Sequence, residues 1–567
     1  MQKIRLFINT FSPTVSWCIV FALIGLTHAN YIANGFTWLD HGDLELGRAV
    51  LPLRHLFEAF LTRFGETGFY RPLVTIVHSL DAAFYDQWAP GYHLTNVLLH
   101  ILVTGAFALF LSQFLSLNRS EYQLATLLAG IHPLSWLPVG AISYRPELLA
   151  ALFVFLTVFF HARARTSGNT QDTLLAILCL TLGFFSKEST LIWTPALIVV
   201  WEVCTQKEQS KPLLFIYECL TLLTYICLRW SAVPELWQAS TTALPINEAV
   251  GTRLSALGMQ LLNLINPTLP TLSDATPIRT LFGFSALATA LILLGALLSL
   301  LFRWRKQPMW PQVLLFTAIA LSPALNIIPL PRFQSPHYGY LASFGFAMAV
   351  SVTLHWAQKQ IRPIQTGVYA GIALWTLIAM TTTTISGSRF ANDQTLFEPE
   401  TTHDPKFSEG HYYLGLHFKK LGDIKRAATA YEAALKKHPN TLVYVDGPSA
   451  AINLSEIRFI QQRFTEADDL LSVATVGASV NQVRYIAYNR ALIVAQQGFD
   501  ERVVTLLKDP DLMWKRPEPL FLLSQALGHL GRTSEAAMAL RQSLPLLNQE
   551  QQQSVQFLIQ KMGMVQK

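Results

Sequence analysis

Charge is what this chain has least of. Asp, Glu, Lys and Arg make up 14% of its 567 residues, against about 25% in an ordinary soluble protein. Hydrophobic residues make up 51% and the mean hydropathy is +0.33, which excludes a protein that is soluble throughout. Charge of one sign is also missing. The net charge of +6 comes without any basic block, so nucleic acid finds no electrostatic footprint. The cysteines Cys18, Cys179, Cys204, Cys219 and Cys227 lie in or beside apolar runs without CxxC or metal-ligand spacing, which leaves neither a disulfide framework nor a zinc site to expect. No Walker loop, Rossmann fingerprint or Ser/His/Asp arrangement stands out, so no nucleotide should be consumed. The charge that is present is uneven: 43 charged residues in the first 400 positions and 35 in the last 167. That is the pattern of a membrane body followed by a soluble tail.

Apolar runs of the roughly 17–25 residues that a bilayer requires begin near Pro13, Gly91, Tyr122, Glu147, Thr173, Thr190, Leu213, Leu281, Pro311, Tyr338 and Gly367. Lys3 and Arg5 precede the first, which reads as a retained anchor rather than a signal peptide cleaved near Ala29. Basic connectors stay cytoplasmic, and the clearest are 161–165, 207–211, 303–306 and 359–362. Two more apolar stretches, 72–88 and 254–269, break the alternation if counted singly. The first carries His78, Asp81, Asp86 and Gln87, so both read as interfacial helices in outer loops. The alternative, that both cross as a pair, reverses everything between them.

Eleven spans with the N-terminus inside give the outer face a first loop over 34–90, a second over 231–280 and the tail. Arg71, Arg145, Lys187, Arg229, Arg279 and Arg332 then fall at or near outer ends, where the orientation rule disfavours them. Six cations beside a first loop bearing Asp40, Asp43 and Glu45 suit a site that binds a lipid-linked phosphate and performs carboxylate chemistry. Snorkelling at the interface is the bland alternative.

In the tail, His411, Leu414, Gly415, Phe418, Gly422, Ala427, Tyr431, Ala434 and Pro439 follow the tetratricopeptide pattern. Weaker copies surround Leu454, Ala491 and Leu523. About four stacked repeats would share one core and present a curved surface for protein recognition or self-association. The expected organisation is a body over 1–390, a linker over 391–405 and an array over 406–567, both the active face and the array being extracytoplasmic.

In the body, the order Phe36-Thr-Trp38-Leu-Asp40, Tyr70-Arg71-Pro72, His93-Leu-Thr-Asn96 with His100, His132-Pro133, Arg145-Pro-Glu147, Lys187-Glu188, Tyr225 with Arg229, and Tyr338-Gly-Tyr340 precedes the repeats. This order resembles the transmembrane and tetratricopeptide-repeat containing family over nearly the whole chain. That family stands with the protein O-mannosyltransferases in the GT-C glycosyltransferase superfamily. The resemblance implies an all-α polytopic fold with about eleven transmembrane helices, an interfacial helix and an acidic residue in the first outer loop, and a polyprenyl-phosphate sugar donor. Two departures stand out. Leu39 and Asp40 occupy the places of two adjacent aspartates, and His337 stands where an arginine often precedes Tyr-x-Tyr, with Arg332 five positions earlier.

Sugar transfer from a lipid phosphate needs a carboxylate to activate the acceptor, cations for the departing phosphate and a water-poor cleft. Asp40 is the preferred base, with Asp43 as substitute. Arg145 and Arg229 are the preferred phosphate partners, since a guanidinium binds two oxygens, with Arg71 and Lys187 behind them and Arg279 and Arg332 completing the set. Glu147 and Glu188 are placed to hold cations by ion pairing. His93, Asn96 and His100 share a helical face and, with Tyr338, read as a stripe contacting substrate or neighbouring helices. A divalent metal there is possible but not favoured, and no cofactor is expected. The leading expectation is a glycosyltransferase acting on an extracytoplasmic protein that the array recruits. The alternative is a membrane-anchored scaffold without catalysis. A lipid-phosphate transporter would want polar residues through the full bilayer depth, and the later spans have few. The lack of a long targeting extension points to a bacterial inner membrane.

Overall fold

The computed structural model describes residues 12–205, 212–234, 244–303, 309–328, 330–509, 512 and 514–564. Lys3, Arg5, the connector at 207–211, the basic residues Arg305 and Lys306, and part of the second outer loop lie outside the described residues. The chain divides into two compact units, Met1–Asp404 with Pro439–Val443, and Pro405–His438 with Tyr444–Lys567.

The first unit is helical: α1 (Pro13–Thr27), α2 (Pro72–Tyr85), α3 (Ala89–Phe114), α4 (Arg119–Gly130), α5 (Arg145–Ser167), α6 (Thr170–Phe184), α7 (Thr190–Thr205), α8 (Pro212–Ala232), α9 (Ile246–Ile265), α10 (Phe284–Arg303), α11 (Met309–Ala320), α12 (Tyr340–Ala357), α13 (Arg362–Ser386) and α14 (Asp393–His403). Proline in the first turn starts α1, α2, α3, α5 and α13, where its missing N–H costs nothing and its fixed φ suits the helix. One short antiparallel pairing joins β1 (Thr276–Pro277) to β2 (Thr441–Leu442).

Among the described residues, seven helical stretches are long and apolar enough to cross a bilayer: Pro13–Tyr31, Ala89–Phe114, Ile142–Ser167, Pro212–Ala232, Phe284–Phe302, Pro336–Ala357 and Arg362–Ala391. Three more apolar helices, α6, α7 and α11, are shorter. The chain is an integral membrane protein of all-α type. Helices α2 and α9, expected at the interface, are absent from both sets.

The third expected span differs most from a rod. Helix α4 stops at Gly130, and the chain continues to Arg145 through two single 3-10 turns and a five-residue helix, every residue of it buried. Pro133 and Pro138 break the ladder. Irregular backbone at membrane depth survives only where protein satisfies it, and here it does. The His100 ring N–H meets the Gly130 carbonyl at 2.8 Å, the Thr383 hydroxyl meets that of Ile131 at 3.0 Å, and the Asn96 amide meets that of Val139 at 3.3 Å.

Polar contacts sort the helix ends. Ends that alternation assigns to the inner side meet one another: Glu121 with His355, Arg119 with Ser16, and His161 with Glu202 and Glu218. Ends assigned to the outer side do the same: Lys187 with Glu147, and Tyr31 with Ser386.

The second unit stacks helix pairs: α15 (Ser408–Lys420) with α16 (Ile424–Ala434), α17 (Gly447–Ile460) with α18 (Phe464–Ala474), α19 (Val480–Gln496) with α20 (Asp500–Leu507), α21 (Glu518–His529) with α22 (Thr533–Ser543), then α23 (Gln549–Met564). Small residues permit the close approach. A Cβ on Gly415 would stand 2.5 Å from the Tyr431 ring, and Ala427, Ala467, Ala491 and Ala536 are fully buried.

Candidate active site

The first loop is built around Trp38, whose φ of 58° is left-handed, a conformation that costs a non-glycine residue about 1 kcal/mol or more. Contacts from distant parts of the chain hold it. Its N–H donates to Asp393 at 2.7 Å, its ring packs 5.3 Å from that of Tyr144, and the Arg332 guanidinium lies 5.1 Å from the ring centroid. One π-helical turn follows, His41–Glu45. His41 sits between Asp393 at 2.9 Å and Glu45 at 2.5 Å. Burial alone would lower its imidazole, but the hydrogen bond and charge of Asp393, then those of Glu45, outweigh it and push it up to about 9.

The two aspartates of this loop have different surroundings. Asp40 is fully buried. One carboxylate oxygen accepts the N–H and the hydroxyl of Ser143, both at 2.7 Å, and the other accepts the N–H of Ile142 at 3.3 Å. Burial raises its carboxyl, against the pull of Ser143, Ile142 and Thr37. Asp43 is only partly buried. Burial pushes its carboxyl up to about 6, opposed by the charge of Arg48 and reinforced by that of Asp40, while the Ser143 hydroxyl and Arg71 pull it down. The guanidinium of Arg48 lies over Gly42, so that a side chain there would displace it.

The charge of Arg71 acts on Asp43, and further cations from distant parts of the chain stand near Arg71. Arg71 pairs with Glu188 through Nε at 3.0 Å and Nη2 at 2.7 Å, and its guanidinium lies 3.8 Å from the Phe69 centroid. Lys187 is buried on Glu147; burial lowers its ammonium and Glu147 opposes this. His337 lies 3.7 Å from Glu147 and within electrostatic reach of Lys187, Arg332 and Arg71. The Tyr338 hydroxyl donates to the Arg332 carbonyl at 2.8 Å and so fixes the loop that carries that arginine. Arg229 joins from α8, where it and Arg71 both act on Tyr225.

Several expected site residues stand elsewhere. Arg145, a preferred phosphate partner on sequence grounds, has no exposed surface. Its guanidinium is committed to Asp81 at 2.7 Å, Asn96 at 2.7 Å and the Tyr92 carbonyl at 3.1 Å. It clamps α2 and α3 to the start of α5 and offers a ligand no exposed surface. Asn96 completes that clamp, and His93 is buried against the Gly35 carbonyl at 3.0 Å, so neither has exposed surface. Arg279 is exposed, and its main chain bonds Thr252; among the described residues no contact joins it to the cluster.

Sequence reasoning missed Ser143, Arg48, His41 and Asp393. The i, i+4 spacing of His41 and Glu45 was one available signal. Another was Asn392-x-x-Thr395, which forms a capping box and opens α14 inside the stretch 391–405 expected as a linker. Helix α14 also reaches the second outer loop, where Glu400 accepts the Leu272 N–H at 2.7 Å and pairs with Arg389 at 2.7 Å. Ser143 gives no local signal.

The tetratricopeptide repeat family model matches residues 408–441. Over 182 residues, 29% of this chain, the sequence is 31% identical to the protein O-mannosyl-transferase tmtc2 of Xenopus laevis, of which that match covers 21%. The human protein O-mannosyl-transferase TMTC2 is 30% identical over 27% of this chain and 20% of its own length. The mouse protein O-mannosyl-transferase TMTC3 is 24% identical over 35% of this chain and 22% of its own. The chain thus spans only about a fifth of the relatives it matches. The repeat match and these relatives support the resemblance to the transmembrane and tetratricopeptide-repeat containing family.

Proposed function

We propose that this protein is a membrane glycosyltransferase that moves one sugar from a polyprenyl-phosphate donor to a hydroxyl of an extracytoplasmic protein. The names of its relatives make mannose the first sugar to test. The observation that carries the reading is Asp43, a partly exposed carboxyl raised to about 6 on which the charges of Arg48 and Arg71 act, with Arg71 in turn within electrostatic reach of Lys187 and His337. A general base works best with a pKa near the working pH.

Asp43 takes the proton of the acceptor hydroxyl as its oxygen attacks the sugar carbon. The bond from that carbon to the phosphate oxygen breaks, and the lipid phosphate leaves with the bonding pair. A single displacement inverts the sugar carbon. Arg71, Lys187 and Arg332 stabilise the charge on the departing phosphate. Asp40 is a positioning residue: it holds Ser143, whose hydroxyl also acts on Asp43. The array recruits or orients the acceptor, and no nucleotide or metal is assigned to the step.

The test compares cells carrying the wild type, Asp43→Asn, Asp40→Asn or a deletion by intact-mass spectrometry of extracytoplasmic proteins. A one-hexose increment lost in the deletion, and reduced about 10²-fold or more by Asp43→Asn, supports the reading. An increment lost with Asp40→Asn but retained with Asp43→Asn moves the base to Asp40. Increments on lipid or glycan alone overturn the protein acceptor. No change under confirmed expression overturns the transferase and favours the scaffold.

A further inference from the structure

Helix α14 carries buried carboxylates in one stripe. Asp393, Phe397 and Glu400 stand at i, i+4 and i+7, which is one face of a helix, and Asp404 caps it about one turn further on. Asp393 is 3% exposed and Glu400 6%, although acidic side chains are almost never buried unless they are paired. Both are spent on the outer loops. Asp393 accepts the Trp38 N–H at 2.7 Å and meets the His41 ring at 2.9 Å. One oxygen of Glu400 accepts the Leu272 N–H at 2.7 Å and the Thr271 hydroxyl at 2.8 Å, while the other receives Arg389 at 2.7 Å. Asp404 adds the Ser273 hydroxyl at 2.6 Å. The helix thus grips the first loop and the second at points about 10 Å apart along its axis.

Both grips lead towards the reacting groups. At the N-terminal end, Asp393 holds the left-handed Trp38 and the turn that carries Asp43, and Phe397 packs edge-on against the Trp38 ring at 5.6 Å. The Arg332 guanidinium lies 5.1 Å from that same ring. At the C-terminal end, Glu400 and Asp404 hold 271–273, and just beyond them the Thr276 hydroxyl reaches Gln334 at 3.4 Å, two residues from Arg332. On the open side of the helix Gln394 bonds Glu398 at 3.0 Å.

We propose that α14 is a strut that sets the spacing between the loop carrying Asp43 and the loops around Arg332, with Asp393 and Glu400 as its positioning residues. A packed helix held at both ends carries a displacement of 271–273 to Trp38, and from there to Asp43. The part of the chain that serves the chemistry then runs to Asp404, beyond the last membrane span. The positioning role rests on the transferase reading; the coupling of the two loops stands without it.

The test is hydrogen exchange of the full chain in phosphatidylcholine nanodiscs, read by mass spectrometry on peptides covering 36–48 and 268–277. The Trp38 and Leu272 amides that α14 holds are among the protons exchanged. In the wild type, with rising urea, the two peptides are expected to lose protection together, as one cooperative unit. Glu400→Gln, placed at the second loop, should speed exchange over 36–48 about tenfold. Asp393→Asn, placed at the first, should do the same over 268–277, because coupling is reciprocal. Glu398→Gln on the open side should change neither. Faster exchange confined to the loop that each variant touches overturns the strut, and so do two separate openings in the wild type, a result that requires no variant to fold. Initial rates of mannose transfer from farnesyl phosphate mannose are taken on the same samples. Asp393→Asn and Glu400→Gln should lower kcat about tenfold and leave KM for the donor within about twofold, since a misplaced group costs rate rather than binding. An unchanged kcat in both overturns the positioning role. Joint opening of the loops in a wild type that transfers no mannose would sink the transferase reading and leave the coupling standing.

Discussion

The two units of this protein treat charge in opposite ways. In the membrane body Asp40 and Arg145 have no exposed surface and Lys187 and Glu147 have almost none, and each is matched by a specific partner. In the array, pairs such as Arg490–Asp468 and Lys508–Glu535 lie open to solvent. The same kind of side chain is driven opposite ways. Burial pushes Asp43 up to about 6, whereas Arg532 and then Lys508 bring exposed Glu535 down to about 2. A charge taken out of water must be matched or it does not stay charged, so each buried charge of the body fixes a position. Exposed pairs fix little, which leaves the array's specificity to its packing and surface shape.

The largest effect expected from that contrast concerns Arg145. Removing it as Arg145→Ala leaves Asp81 buried without its partner, a loss of about 3–5 kcal/mol. Arg490→Ala in the array should cost at most about 1 kcal/mol. Heating the full chain in nanodiscs and following monodisperse elution compares the two. Equal shifts would break the comparison.

Packing decides the next effect. Gly415→Ala places a methyl group against the Tyr431 ring, and overpacking of this kind costs about 1–3 kcal/mol. Limited proteolysis should show the tail cut at lower temperature than the wild type while the membrane body stays protected. A tail cut no sooner would mean that the first pair tolerates slack the structure does not show.

The same contrast explains what was legible in the sequence. The array was, because tetratricopeptide positions repeat a local packing rule: Gly415 under Tyr431 can be read from spacing alone. Most helices of the body were, because apolar runs and first-turn prolines are local signals. The broken segment after α4 was not, since its continuity depends on His100, Thr383 and Asn96, which lie far away in the chain. The cations divided similarly. Parity found Arg71, Lys187 and Arg332 near one face, but it could not tell that Arg145 beside them is consumed by Asp81 and Asn96. Nor could it show that Asp40 is buried and Asp43 partly exposed, because what covers Asp40 is the segment carrying Ile142 and Ser143, about a hundred residues on.

Transfer should also depend on pH in a way that sharpens the difference between the buried site and the exposed array. With Asp43 as base, the rate should fall about tenfold per pH unit below about 6, and Asp43→Glu should move that limb. The acid limb is read from initial rates against pH with the full chain in nanodiscs. A flat profile between pH 4 and 7 would remove Asp43 from the chemistry.

The smallest effect lies at the other end of the profile. His41 is pushed up to about 9 by Asp393 and Glu45 although burial opposes it. A raised cationic group stabilises the fold fully below its unfolded value near 6.5, and that contribution is lost as the pH climbs through about 9. Since Asp393 also receives the Trp38 N–H, losing the His41 charge slackens the turn that carries Asp43. Transfer should decline a few-fold above pH 9. His41→Gln retains a hydrogen-bond donor without the titration, so it should lower the plateau modestly, erase the alkaline limb and leave the acid limb near 6 in place. If the alkaline limb persists in His41→Gln, the decline belongs to another group, and the tie between α14 and the first loop acts by packing rather than by charge.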